Sequence, residues 1–337
     1  MRKNRRPYDP EILRNRVLYM TKKDLKIVFF GTPEFAVGSL SRLVEEGYDV
    51  AAVVTMPDKE AGRGRKLIQS DVKKYAESQG LPVLQPEKLK SPEFIEQLKA
   101  IDADLFIVIA FRMLPEVVWS MPRLGTFNLH GSLLPKYRGA APINRAIMNG
   151  EKETGVTTFF ITHEIDTGDI IGSRSIPIGE NDNAGTIHDK LMDLGASMVL
   201  ETVDSIIGGT LDSRPQPEGE FTPAPKIFRD DCRIDWNKTA SEIHNQIRGL
   251  SPYPAAFTSM EDVSGKIMDI KIFESVLSEE RISNTNPGVI TIKDKRMFAS
   301  TGKGALEILS IQPAGKKRME TQAFLLGYHP ARFLIQE

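Results

Sequence analysis

The feature that most constrains this fold is an alternation of short apolar runs with helical patterns through the first two hundred residues. Lys26–Phe30 is apolar and leads into Gly31-Thr32-Pro33, after which Phe35, Leu40, Leu43 and Val44 lie near one face of a pattern reaching Glu46. A proline near the first turn suits a helix start, where its missing N–H has no partner to lose. Val50–Val54 reads as a strand, Ser70 as the N-cap of a helix ended by Gly80, and Ser91-Pro92 as the opening of a helix through Ala100. Leu105–Ala110 is continuously apolar, which predicts a strand buried on both faces. Thr126–Leu129, a helix begun near Pro142, the runs Val156–Ile161 and Asp169–Ile176, and a helix over Ala184–Ile207 continue the rhythm. The expected fold class is α/β, with a doubly wound, mainly parallel sheet and right-handed crossovers.

The rhythm stops at Gly208-Gly209, and Pro215, Pro217, Pro223 and Pro225 then crowd a stretch too proline-rich for a regular element. Beyond it come one helix, Ala240–Gly249, and short alternating runs at Lys266–Phe273, Gly288–Ile292, Arg296–Ala299 and Ala305–Ile311, the signature of a small barrel or sandwich. A chain of 337 residues is long enough for two cores. The expected organisation is a basic extension over residues 1–24, a catalytic domain over 25–208, a Pro-rich linker over 209–227 and a smaller domain over 228–337.

The chain carries 44 Lys+Arg against 45 Asp+Glu, so 44 − 45 leaves a formal charge of −1. That excludes a protein-wide polyanion-binding surface, although not a local basic patch. No run of about 18 apolar residues suggests a membrane span. Cys232, the sole cysteine, has no partner for a disulfide, and neither cysteine pairs nor close histidines form a zinc pattern. A cytoplasmic protein without metal or membrane attachment is expected. Residues 1–24 hold eight basic and three acidic residues without a signal-peptide core, and a start at Met20 would remove most of them.

A doubly wound domain binds ligands beyond the carboxyl ends of its strands. The turn after the first strand, Gly31-Thr32-Pro33-Glu34, has one glycine and a carboxylate where a dinucleotide pyrophosphate would approach, so a nicotinamide site is not expected. Chemistry concentrates instead in Thr126-Phe-Asn-Leu-His-Gly-Ser-Leu-Leu-Pro-Lys-Tyr-Arg-Gly-Ala-Ala-Pro142. Side chains alternate along a strand, so Asn128 and His130 share one face at its carboxyl end, just before a loop shaped by Gly131, Pro135, Gly139 and Pro142. In His163-Glu-Ile-Asp-Thr-Gly-Asp169, Asp166 either stabilises a tight turn or projects toward His130 and orients its ring. Asp-Thr-Gly also marks aspartic proteases, but the chain has a single copy and no second half.

These segments, with Phe30-Gly-Thr-Pro-Glu-Phe-Ala, Pro57-Asp-Lys-Glu-Ala-Gly-Arg-Gly-Arg-Lys-Leu, Arg138-Gly-Ala-Ala-Pro-Ile, Arg233-Ile-Asp-Trp and Gln312-Pro-Ala-Gly-Lys-Lys-Arg-Met, resemble the formyl-tetrahydrofolate-dependent formyltransferases. Within them the resemblance is to the methionyl-tRNA formyltransferase family, over about residues 24–320. It implies a Rossmann-like catalytic domain, a second, smaller OB-like β-barrel domain that binds tRNA, and formyl transfer from 10-formyltetrahydrofolate to the α-amino group of initiator methionyl-tRNA, without a metal. It further implies Asn128 as oxyanion donor, His130 as proton shuttle, Asp166 as the group orienting His130, and Ser132, Leu133, Leu134 and Pro135 as a folate-contacting loop. Where the family reads Ala-Tyr-Gly-x-Ile-Leu-Pro, this chain has Ala110-Phe-Arg-Met-Leu-Pro115, one residue shorter, with Arg112 along the folate pocket.

Local basic charge is then expected to hold RNA: Arg63, Arg65 and Lys66 in the loop 57–73, and Lys316, Lys317 and Arg318 in the second domain. A monomer that binds initiator tRNA but not DNA is expected. Formyl-folate enzymes acting on small or nucleotide-linked amines, or hydrolysing the formyl group, share the Asn128, His130 and Asp166 pattern without accounting for the basic loop. A non-catalytic RNA-binding protein would leave the Asn128/His130 pair without a purpose.

Overall fold

The computed structural model describes residues 20–61, 66–219, 221–280 and 286–335. The chain divides into two compact units. The first comprises residues 1–139, 155–176 and 189–223, and the second 140–154, 177–188 and 224–337. The boundary after Pro223 falls inside the stretch expected to be a linker, and two segments from the middle of the sequence, 140–154 and 177–188, join the second unit.

The first unit is built on strands β1 (Lys26–Gly31), β2 (Asp49–Val54), β3 (Val83–Leu84), β4 (Leu105–Ile109), β5 (Thr126–His130), β6 (Glu153–Phe160) and β7 (Ile170–Pro177), in the order β7-β6-β5-β4-β1-β2-β3. Pairings β3-β2, β2-β1, β1-β4 and β4-β5 are parallel. β6 instead runs antiparallel to β5, with His130 opposite Thr157. The doubly wound reading therefore holds for five strands, and an antiparallel edge completes the sheet.

All five residues of β4 are buried, as a strand covered on both faces requires. Helix α1 (Glu34–Glu45) turns Phe35, Leu40 and Leu43 inward. Ser70 and Ser91 cap α2 (Asp71–Ser78) and α3 (Pro92–Ile101), accepting from the N–H groups of Lys73 and Phe94. The order reverses at β1, whose neighbours are β2 on one side and β4 on the other. The resulting crevice lies beyond the carboxyl ends of β1, β4 and β5. Gly31 closes β1 because a Cβ there would lie 2.7 Å from the Ala36 Cβ, so this glycine lets α1 pack close to the strand end.

The long helix Ala184–Ile207 (α4) reaches the sheet at Gly195, where an added Cβ would stand 2.6 Å from Leu129 Cδ2. Phe127 and Leu129 are thus committed to packing, and the alternation of β5 leaves Asn128 and His130 for the other face.

In the second unit, strands β8 (Ala256–Asp262), β9 (Ile267–Leu277), β10 (Ile290–Lys293), β11 (Arg296–Ser300), β12 (Ala305–Pro313) and β13 (Pro330–Phe333) form a sheet ordered β10-β11-β12-β9-β8-β13. A bridge between Val289 and Arg332 joins its two ends. Phe333 N–H donates to Gly288 O at 2.7 Å beside it, so the sheet curls into a small, nearly closed antiparallel barrel. Gly288 has φ 80°, and a Cβ there would meet Phe333 O at 2.5 Å. Trp236 is fully buried, stacks on Phe333 at 4.5 Å between centroids and donates from Nε1 to Thr258 Oγ1. Helix α5 (Ala240–Leu250) opens with a capping box between Thr239 and Glu242 and packs Ile243, Ile247 and Leu250 into that core. Among the described residues, no helix is long and apolar enough to cross a membrane, and no cluster of ligating side chains could hold a metal ion.

Candidate active site

β5 delivers Asn128 and His130 to the crevice, and the turn between β6 and β7 delivers Asp166. His130 is only 7% exposed. Its Nε2 lies 2.8 Å from the carbonyl of Tyr137, which can only accept, so Nε2 carries the proton in the neutral ring. The lone pair therefore sits on Nδ1, which faces Asp166 Oδ2 at 3.8 Å. That spacing is too long for a direct hydrogen bond. The tautomer is thus set by Tyr137, a residue absent from the sequence-based expectation, and Asp166 stands on the Nδ1 side of the ring. Asn128 donates one amide hydrogen to Val108 O at 2.9 Å, which fixes the carboxamide and leaves its second hydrogen to give.

The surrounding backbone is strained at three non-glycine residues, Ala110 (φ 47°), Tyr137 (φ 61°) and Asp166 (φ 55°). Such residues cost of order 1–3 kcal/mol each and cluster where geometry serves a site. Gly168 completes the Asp-Thr-Gly turn because a Cβ there would overlap the Phe160 carbonyl oxygen at 1.6 Å. Asp166 Oδ2 also accepts from the N–H of Gly139 at 2.8 Å, which ties this turn to the loop after β5.

That loop is held from within. The Ser132 hydroxyl is fully buried and donates to Lys136 O at 2.6 Å. Thr157 Oγ1 donates to Ser132 O at 2.7 Å and accepts from Leu134 N–H at 3.1 Å, while Leu134 packs with Phe159 and Ile170. Ser132 and Leu134 therefore hold the loop together through these contacts. Thr157→Val would leave both buried backbone groups short of a partner and should destabilise the protein by about 1–3 kcal/mol. In a urea titration this appears as a lower midpoint at unchanged slope; an unmoved midpoint would mean that Thr157 does not hold the loop.

Arg112 follows β4 at the crevice. Its guanidinium donates to the carbonyls of Glu87, at 2.8 Å, and of Pro86, while its buried Nε has no partner. Both Nη nitrogens thus brace the main chain beyond β3, and Nε is the one guanidinium nitrogen without a hydrogen bond among the described residues. Of the expected RNA contacts, Arg63 and Arg65 lie outside the described residues, and Lys66 is described only as the first residue of a short strand, Lys66–Ile68, paired antiparallel with Lys59–Ala61. The base of this hairpin is fixed by Asp58, whose carboxylate takes Lys73 Nζ at 2.6 Å and Gln85 Nε2 at 2.7 Å. The Lys73 ammonium holds that carboxyl below its usual range. In the second unit Lys316 and Lys317 are exposed, whereas Arg318 is engaged, pairing with Glu274 and Ser310 and lying over the Phe273 ring.

This arrangement of a neutral amide donor and a carboxylate-backed imidazole at a strand's end suits acyl transfer to an amine. The chain belongs to the formyl transferase family, whose description matches residues 25–203, with the formyl transferase C-terminal domain matching residues 226–329. It is an enzyme of that class. Within it, the chain is similar to the methionyl-tRNA formyltransferase of Bacteroides fragilis, 54% identical over 92% of this chain and 97% of that protein. It is also similar to those of Parabacteroides distasonis, at 55% over the same shares, and Porphyromonas gingivalis, at 48%. Solved structures share the fold at lower identity. An N-formyltransferase from Helicobacter canadensis, in complex with folinic acid and dTDP-3-aminofucose, superposes with TM-score 0.60 at 23% identity, covering 88% of this chain and all of that one. HypX from Aquifex aeolicus, in complex with tetrahydrofolic acid, gives 0.61 at 20%, covering 90% of this chain and 47% of that one.

Proposed function

We propose that this enzyme transfers the formyl group of 10-formyltetrahydrofolate to the α-amino group of initiator methionyl-tRNA. The observation that carries the reading is the site itself: Asn128 and His130 on one strand, with Nδ1 the basic atom of His130 and the Asp166 carboxylate 3.8 Å away. The relatives' shared name supplies the acceptor, and the folate-bound neighbours of the same fold supply the donor class.

The remaining hydrogen of Asn128 Nδ2 faces the oxyanion that forms when the amine attacks the formyl carbon. Nδ1 of His130 accepts the proton that the amine nitrogen must lose, and Asp166 stabilises the imidazolium. Returning that proton to the folate nitrogen allows the old C–N bond to break as the new one is kept. One N–H proton moves from the acceptor to the donor's nitrogen, and no covalent enzyme intermediate is needed. For the folate, the buried Arg112 Nε is a donor still to be satisfied, and the half-buried Leu133 and Pro135 offer apolar contact on a loop that Ser132 and Leu134 hold from within. Arg63, Arg65 and Lys66 contact phosphates of the single-stranded acceptor end, with Lys316 and Lys317 as further contacts on the acceptor arm and Arg318 held in place by Glu274.

The deciding assay compares formylation of charged initiator tRNA with formylation of free small amines, using 10-formyltetrahydrofolate. Transfer to the amines alone would assign the chain to the small-amine enzymes instead. The same assay measures the phosphate contacts. The three loop contacts alone predict that log KM for the tRNA rises by about 2 per decade of salt, about 0.7 for each contact to single-stranded RNA, and the Lys316 and Lys317 contacts steepen it further. Arg63→Ala should lower that slope by about one contact's worth, and an unchanged slope would remove Arg63 from the interface.

A further inference from the structure

We infer that Gln216, in the proline-rich stretch, is a positioning residue for formyl transfer, acting through Asp166; the inference rests on the reaction proposed above. Arg214-Pro215-Gln216-Pro217 places two residues each before a proline, which biases both Arg214 and Gln216 to extended backbone. The stretch is also fixed in register. Arg214 N–H donates to Ile170 O at 2.9 Å, and Ile170 N–H donates to Arg214 O at 2.7 Å. Two residues along an extended chain from that anchor, the Gln216 side chain reaches the Asp166 turn.

There the carboxamide is saturated. Nε2 donates to Asp166 O at 2.8 Å and to Gly168 O at 3.0 Å, which uses both of its hydrogens. Oε1 accepts from Arg138 Nε at 3.2 Å and from Arg138 Nη2 at 2.6 Å. Gly139, next after Arg138, donates its N–H to Asp166 Oδ2, the oxygen that faces His130. A closed ring therefore runs from Gln216 through the Asp166 backbone to its carboxylate, across to Gly139, and back through Arg138. Asp166 is in the left-handed region at φ 55°, a conformation that persists only where its surroundings enforce it. Gln216 holds the two carbonyls flanking Thr167 and so fixes that turn. It touches no reacting atom. Glutamate would keep the Arg138 acceptor but lose both donors, methionine would lose every polar contact at similar length, and asparagine is one methylene short.

The test is a double-mutant cycle on kcat, together with amide exchange at Gly139 measured without substrate. Gln216→Met should lower kcat about tenfold, the size of a 1.4 kcal/mol coupling, with KM for both substrates within about twofold. In an Asp166→Ala background the same change should cost less than about twofold. A purely structural contribution would lower kcat by the same factor in both backgrounds, and that result overturns the proposal. Gly139 exchange should accelerate in Gln216→Met while that of Leu134, bonded to Thr157 on the other side of the loop, stays unchanged; an unmoved Gly139 also overturns it. Should Gln216→Met fail to fold, Gln216→Glu keeps the Arg138 contact and is judged by the same two readouts. Because the exchange needs no acceptor, it decides the positioning role even where charged tRNA proves not to be the substrate.

Discussion

His130→Ala should lower kcat for formyl transfer by about 10²–10⁴-fold, the usual contribution of a positioned general acid–base group, with KM for the tRNA little changed. The expectation follows from where the basic atom lies. The Tyr137 carbonyl occupies Nε2–H, so Nδ1 alone can take the amine proton, and Asp166 stands only on that side of the ring. The substitution removes no group assigned to phosphate binding, which is why the loss should fall on kcat. It also vacates the volume of a buried ring whose Tyr137 partner stays in place, so added imidazole should restore part of the lost turnover. Steady-state kinetics on charged initiator tRNA, with and without imidazole, read both effects. Turnover within a few fold of the unaltered enzyme would show that the proton leaves by another route.

The parallel half of the fold was legible because strands buried on both faces must read as unbroken apolar runs, as Leu105–Ile109 does, and because Ser70 and Ser91 announce the helices they cap. Asn128 and His130 were legible for a similar local reason, the two-residue period of a strand. What the sequence hid depends on partners far along the chain. The antiparallel pairing of β6 with β5 leaves no mark in the Val156–Ile161 run, yet it brings Thr157 under the loop after His130. The prolines around Gln216 suggested a linker, since nothing local distinguishes a spacer from a segment pinned to Ile170 and Asp166. Charge pairing was hidden in the same way: Lys73 and Arg318 lie near other basic residues in the sequence, and each is paired with a carboxylate in the fold.

Asn128→Asp should be the more damaging of two substitutions at the proposed oxyanion donor, exceeding the loss of about 10²–10³-fold in kcat expected of Asn128→Ala. Alanine removes one oxyanion donor and leaves the Val108 carbonyl without this partner. Water can enter the vacated volume and supply a weaker donor in its place. Aspartate keeps the shape but reverses the chemistry: the oxygen that replaces Nδ2 would face the Val108 carbonyl, and an ionised carboxylate would repel the oxyanion as it forms. Because the charge on the formyl oxygen grows only along the reaction path, both losses should appear in kcat with KM for the folate nearly constant. Comparing the two variants separates electrostatics from packing. A nearly isosteric aspartate that works better than alanine would mean that Asn128 fills space beside β4, and the oxyanion would then have to be stabilised by another group.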